Sequence, residues 1–339
     1  ERLVGSEMCI RDRRGEAYSG NQSEIDPYLG EAYFFRAYNY FYLLKYFGGV
    51  PIITVPLDTD SPELQKPRNS RYEVADLILS DLQNAISRLP KEQNIATSDK
   101  GHISEQGAKA FKARVLLYEA TWRKYNKTST DYEGSADPKS DQVNEFLEES
   151  ISLSKDVLDD EVFRIWNHNN ELDNLSSRYL FCLEDGSQTG GYGKDSNKEF
   201  IIYSVFDRVL NAGAFSLNNE MNYIYPTRKF IDMFVCTNGM PTTNNEQFKG
   251  YQNVTDEYQN RDYRLMAYVG GPAESIGSTS GYGDQKFRNP IVGDKKESAN
   301  YPVLRLAEVC LNYAEAIMER YGEICLLYTS PSPRDAHES

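Results

Sequence analysis

Residues 29–49 read LGEAYFFRAYNYFYLLKYFGG, from Leu29 to Gly49. Aromatic and aliphatic side chains occupy nearly every face of this run, so it predicts a buried helix. It stops at Gly48-Gly49, where glycine permits a left-handed turn, and Pro51 bars its continuation. A short segment, Val50 to Val55, leads into a polar linker from Asp58 to Asn69 that holds Pro62 and Pro67. Ser70-Arg71-Tyr72-Glu73 then has the spacing of a capping box, in which the Ser and Glu side chains satisfy amides that the first helical turn leaves unpaired. Val74, Leu77, Ile78, Leu82, Ala85, Ile86 and Leu89 follow with helical period, and Pro90 closes the run.

Ser104 opens a third helix. In it Ala108, Ala110, Ala113 and Ala120 alternate with Phe111, Val115, Leu116 and Leu117, and small residues at such contacts let a partner helix approach closely. A polar loop from Asn126 to Gln142 precedes a fourth helical pattern: Val143, Phe146, Leu147, Ile151, Ser154, Val157 and Leu158. Trp122 lies within a helical pattern and reads as core. Paired amphipathic helices of this length suggest tetratricopeptide-like units, although no strict 34-residue period can be aligned. From Glu171 the texture changes to loops rich in Gly, Asn, Ser and Tyr. These are interrupted by a strand-like run at Glu199–Phe206, a short helix at Thr227–Val235, a turn at Asn238-Gly239 and a last long helix predicted from Tyr301 to Arg320.

The 339 residues carry 37 Lys plus Arg against 51 Asp plus Glu, a formal charge of -14. That balance argues against a nucleic-acid partner, whose backbone demands clustered cations. No run of about 18 apolar residues is present to span a bilayer as a helix. The ends read as foreign sequence. Leu3–Asp12 and Cys325–Arg334 can be encoded by the two strands of one DNA segment, an inverted repeat that resembles a sequencing-library adaptor. Residues 1–13 and 325–339 are therefore set apart as adaptor-like. The remainder divides into a helical region, 14–170, and a loop-rich region, 171–324, expected to be truncated at its C-terminal end.

Catalytic signatures fail on inspection. Gly191-Tyr192-Gly193-Lys194-Asp195 resembles part of a phosphate loop, but Gln188 stands at its first glycine position and Asp195 replaces the Ser or Thr that would hold magnesium. Gly277 to Gly281 has Thr279 where a nucleophile elbow has serine. His102 and His168 have no ligand triad around them, and Cys182, Cys236 and Cys310 have no zinc or disulfide spacing. No cofactor or metal is expected. Glu184-Asp185 and Asp159-Asp160-Glu161 could be nominated as a glycosidase's carboxylate pair, yet in so acidic a chain such neighbours arise as solvated charge.

Binding without catalysis remains. There are 25 Tyr and 2 Trp. Tyrosine offers an apolar face and a polar tip, which suits a hydroxylated ligand with flat apolar faces. Tyr192 and Tyr282 are flanked by glycines on loops where burial is not forced. Trp166 stands beside Asn167, Asn169 and Asn170, and Tyr223 and Tyr225 lie in Asn-Tyr-Ile-Tyr-Pro. These five aromatics are the candidate ligand contacts, with ordinary packing as the alternative for each.

The order of the segments resembles the RagB/SusD family of outer-membrane nutrient-binding lipoproteins of Bacteroidota. Gly30-Glu31-Ala32 through Arg36-Ala37, Phe47-Gly48-Gly49-Val50-Pro51, Tyr72–Pro90 and Gly107–Tyr118 are similar to its first helices. Asn197-Lys198-Glu199-Phe200-Ile201, Pro226-Thr227 through Phe234, Asn238-Gly239, Arg261-Asp262-Tyr263-Arg264-Leu265 and Pro302 through Ala316 resemble later segments in the same order. The resemblance implies a mainly α-helical, tetratricopeptide-like superhelix with a loop-rich second part. It also implies a non-catalytic receptor, lipid-anchored on the cell surface, that hands an oligosaccharide or polysaccharide to a SusC-like TonB-dependent transporter. No signal peptide or lipidation cysteine is visible in the chain, so the anchor rests on the resemblance. Two rivals stay open: an all-α glycoside hydrolase or lyase, and a helical-repeat scaffold for a protein partner.

Overall fold

The computed structural model describes residues 22–126, 140–184, 190–207, 225–269, 281–289 and 297–322. Both adaptor-like ends lie outside them. The described chain is mainly helical: α1 (Gln22–Phe47), α2 (Arg71–Ile86), α3 (Glu105–Tyr125), α4 (Val143–Asp159), the single turn α5 (Ser176–Tyr179), β1 (Phe200–Ser204), the short helices α6 (Arg228–Asp232), α7 (Val254–Tyr258) and α8 (Tyr263–Tyr268), β2 (Tyr301–Arg305) and α9 (Leu306–Tyr321). β1 and β2 pair in a two-stranded sheet.

Two compact units result. One comprises the chain up to Phe163 together with the segment from Leu304 onward; the other runs from Arg164 to Val303. The last helix, grouped with the loop-rich region on sequence, thus packs in the first unit.

In that unit α1 packs on α2, α2 on α3, α3 on α4, and α9 on α4 and α3. The capping box forms as its spacing predicts, with Ser70 Oγ accepting from the Glu73 amide at 3.2 Å and Glu73 Oε2 accepting from the Ser70 amide at 2.8 Å. Ser104 caps α3 in the same manner, accepting from the Gly107 amide at 3.2 Å. Every alanine of the α3 stripe is fully buried, and Ser150 Oγ of α4 reaches the Ala113 carbonyl at 2.9 Å, an approach that larger side chains would block. Leu116, Leu117, Ala120, Phe146, Leu147 and Ala316 form one core cluster. Gly49 is needed for a different reason: a Cβ there would lie 2.1 Å from the Asn69 carbonyl oxygen, which is backbone and cannot yield.

Three local expectations change. α1 is not buried all round, because Tyr28, Phe35, Tyr42 and Tyr46, spaced by seven or four residues, lie exposed along it. Residues 301–305 are strand rather than helix. Pro302 disfavours a helical conformation at Tyr301, and pairing with β1 takes the segment, so α9 starts at Leu306. Trp122 is half-buried, its ring covering the Arg71 guanidinium at 4.1 Å.

Beneath that ring is a feature composition did not suggest. Arg71, Glu119 and Arg123 are buried together, with Glu119 pairing to Arg71 and, at 3.4 Å, to Arg123 Nε. Tyr72 and Phe146 flank the Arg123 guanidinium at 5.2 and 4.6 Å.

Candidate functional site

In the second unit the turn 166–176 is fixed by its own amides. Asn167 Oδ1 accepts from the Asn169 amide, Asn169 Oδ1 from the Ser176 amide, and Ser176 Oγ from the His168 amide at 2.7 Å. Asp173 and Asn174 take the left-handed conformation that short polar residues tolerate. Trp166 anchors the turn from inside. Its amide donates to the buried Glu199 carboxylate at 3.0 Å, its Nε1 donates to Ser196 Oγ at 3.1 Å, and its ring packs among Leu172, Leu180, Phe181 and Phe200.

Trp166 is therefore 5% exposed and supports a platform rather than presenting one. The rings it supports are His168, edge-on at 4.7 Å, and Tyr192, edge-on at 5.7 Å. His168 and Tyr192 lie nearly face to face, centroids 4.0 Å apart and planes at 36°, and both are half-buried. Two positive-φ glycines, Gly190 and Gly191, deliver Tyr192 to this position, and the first passes so close to Leu172 that a Cβ would lie 2.5 Å from its Cδ2. Asn167 and Asn169 flank His168 in the chain; Asn167 and Asn170 are exposed and Asn169 is half-exposed. The arrangement offers an apolar ring edge with amide donors and acceptors around it, chemistry that suits a hydroxylated ligand. His168 carries no signal of this role in the sequence, where its spacing bears only on metal ligation.

Tyr282 corrects an expectation. It is buried, 9% exposed, in a cluster with Ile231, Leu265 and Val269. Its hydroxyl donates to Glu257 Oε1 at 2.8 Å and accepts from Arg228 Nη1 at 2.9 Å. Glycine neighbours allow exposure but do not require it, and the buried Glu257 carboxylate and the partly exposed Arg228 guanidinium take the hydroxyl instead. Burial, with the Glu257 hydrogen bond second, pushes the Tyr282 hydroxyl up to about 12. Tyr225 is exposed. Tyr223 lies outside the described residues.

Around Arg228 is a second aromatic position. Its guanidinium stacks on Tyr251 at 3.6 Å, and its Nε donates to Asp232 at 3.1 Å. The Tyr251 hydroxyl donates to the same Asp232 oxygen at 3.0 Å, and Phe248 meets the Tyr251 ring at 4.7 Å.

Of the carboxylates nominated for hydrolysis, Glu184, Asp159 and Asp160 have structural occupations, and Glu161 is exposed. Glu184 is buried and accepts from the Ser298 amide and hydroxyl and from Asn289; Asp185 lies outside the described residues. Asp160 accepts from Gln106 at 2.6 Å and Asp159 from Lys155 at 2.5 Å. Lys194 donates to the Phe206 carbonyl at 2.7 Å. Burial pushes the Cys182 thiol up to about 12, which leaves it protonated and inert. Among the described residues no group of three His, Cys, Asp or Glu side chains could hold a metal ion, and no helix is long and apolar enough to cross a membrane.

Comparison with known proteins gives this arrangement its context. Residues 15–117 match a family model described as starch-binding, associating with outer membrane, and residues 271–323 match the SusD family model. Over these two segments the chain is similar to the RagB/SusD family. A SusD-like protein of Formosa agariphila is 43% identical over 91 residues, 27% of this chain and 17% of that one. Among solved structures, a SusD-like carbohydrate binding protein of Bacteroides fragilis is 19% identical with a TM-score of 0.65, covering 92% of this chain and 59% of that one. A crystal structure with xylogluco-oligosaccharide is 19% identical with a TM-score of 0.55, covering 93% of this chain and 58% of its own. These neighbours share the SusD fold with its tetratricopeptide-like helices. The chain spans about three fifths of their length, and less than a fifth of the Formosa relative's.

Proposed function

We propose that this RagB/SusD-like chain is a non-catalytic receptor that captures an oligosaccharide at the cell surface and passes it to a SusC-like TonB-dependent transporter, held to the outer membrane by a lipid anchor. The observation that carries the glycan reading is the half-exposed His168–Tyr192 ring pair with its fringe of Asn167, Asn169 and Asn170. The exposed margin of the ring pair can meet the apolar face of a sugar, and side-chain amides both donate to and accept from its hydroxyls. The two family-model matches, a carbohydrate-binding neighbour and another solved with an oligosaccharide support the same ligand class. Delivery to the transporter and the lipid anchor rest on the family resemblance.

The test is calorimetric titration of the protein with neutral oligosaccharides, xylogluco-oligosaccharide first among them, with chromatography of the mixture for cleavage products. Heat of binding without product, reduced about tenfold or more by Tyr192→Ala, is the expected result. Product formation would restore the hydrolase reading, and absence of binding across the series would remove the glycan reading.

A further inference from the structure

We propose that Tyr251, Arg228 and Asp232 form a second carbohydrate contact in the same unit, specific for uncharged sugars. The inference rests on the receptor reading but on different residues. Tyr251 is 50% exposed, yet it is held on several sides: the Arg228 guanidinium stacks at 3.6 Å, Asp232 Oδ1 accepts its hydroxyl at 3.0 Å, and Phe248 packs at 4.7 Å. An exposed aromatic that is already immobilised loses little freedom when a ligand covers it, the condition under which stacking yields net affinity.

Arg228 is fixed as firmly. Nε donates to Asp232, and Nη1 donates to the Tyr282 hydroxyl and lies 3.3 Å from Glu257 Oε1. Its Nη2 has no hydrogen-bond acceptor among the described residues, and the side chain is 42% exposed. A donor beside the edge of an exposed ring, with a partly exposed carboxylate next to it, can take a sugar oxygen and a sugar hydroxyl together. The charge count sets the ligand class. Buried Glu257 is offset by the buried Arg261 guanidinium, which packs on Phe248 at 5.3 Å, so the charge a ligand meets beside Nη2 is the partly exposed Asp232 carboxylate, which accepts a hydroxyl of a neutral sugar and opposes a uronate or sulfated one.

The backbone supports the same reading. Tyr251 follows Gly250, at φ +90°, as Tyr192 follows Gly191, at φ +95°. A Cβ on Gly250 would meet nothing within 4 Å, so packing does not demand a glycine there; the turn that projects Tyr251 does.

The experiment is affinity electrophoresis of the wild type and the Tyr251→Ala, Tyr251→Phe and Tyr192→Ala variants. Native gels would contain xyloglucan, starch, laminarin or β-mannan as neutral polymers and polygalacturonate or alginate as anionic ones, with thermal unfolding as the check on folding. At least one neutral polymer is expected to retard the wild type and no anionic one to do so. Tyr251→Ala is expected to weaken that retardation about fivefold or more while Tyr251→Phe, which keeps the ring, retains most of it. Unchanged retardation of Tyr251→Ala alongside a loss in Tyr192→Ala overturns this inference and leaves the receptor reading standing. Retardation by anionic polymers alone overturns the assigned specificity, and no retardation of the wild type by any polymer overturns both.

Discussion

Arg114 of α3 and Glu308 of α9 form a two-point ion pair across 194 residues of sequence, with Nη2 to Oε2 at 2.7 Å and Nε bonded to Oε1. The planar fork matches the carboxylate, so the pair fixes orientation as well as distance. Lys124 and Tyr125 repeat the link one end further along, both donating to Glu319 at 2.7 to 2.9 Å. Glu308→Gln is expected to cost about 1 kcal/mol, because both partners are partly solvated, and to lower the thermal midpoint by roughly 2–4 °C. An unchanged midpoint would show that apolar packing alone holds α9 in the first unit.

The buried triad behaves differently from such surface pairs. Removing Glu119 takes the carboxylate from between two buried guanidinium groups, and breaking a buried pair in this manner costs about 3–5 kcal/mol. Glu119→Gln is therefore expected to destabilise far more than Glu308→Gln in urea denaturation. Replacing Arg71, Glu119 and Arg123 together by apolar residues of similar volume is expected to recover most of that loss, since the desolvation of three charges disappears with them. Equal losses for the single and triple variants would contradict a charge-based account.

Tyr282 gives a prediction in pH. Its folded value of about 12 lies above the ordinary phenol value near 10 of an unfolded chain. Because the folded state holds the proton more tightly, its contribution is fully present below about pH 10 and is lost as pH rises toward 12. The stability difference between wild type and Tyr282→Phe should accordingly shrink between about pH 10 and about pH 12. A difference that stays constant over that range would refute the raised value.

How far the sequence could be read depended on the reach of the forces involved. The Ser70–Glu73 capping box, the Ser104 cap and the alanine stripe of α3 are set within one or two helical turns, and each was legible. Misreading 301–305 as helix followed from a long-range event, pairing with β1, that no local pattern announces. The site divides in the same way. The bonds of Asn167 and Asn169 close within 166–176, but the meeting of His168 with Tyr192 joins residues 24 apart, and the burial of Tyr282 depends on Glu257 and Arg228, both distant in sequence. Glycine flanks could say that a tyrosine was free to be exposed. Only the partners could say whether it was.

The sharpest test of the Tyr192 platform lies in the two glycines before it, because they constrain the loop for different reasons. Gly191, at φ +95°, has open space where a Cβ would go, so Gly191→Ala pays only for an unfavourable backbone conformation, about 1–2 kcal/mol. Gly190, at φ +57°, adds a steric conflict: the Cβ would lie 2.5 Å from Leu172 Cδ2, inside the cluster that supports Trp166. Relief requires either Leu172 or the turn itself to move, and movement of the turn separates Tyr192 from His168. Gly190→Ala is therefore expected to weaken oligosaccharide binding about tenfold, whereas Gly191→Ala is expected to change it less than Tyr192→Ala does. Titration of the three variants, with near-ultraviolet circular dichroism to report the Trp166–Tyr192 environment, separates the cases. If Gly190→Ala binds sugar as tightly as wild type while its aromatic signal is altered, the ring pair is a packing feature and sugar is held elsewhere in the unit.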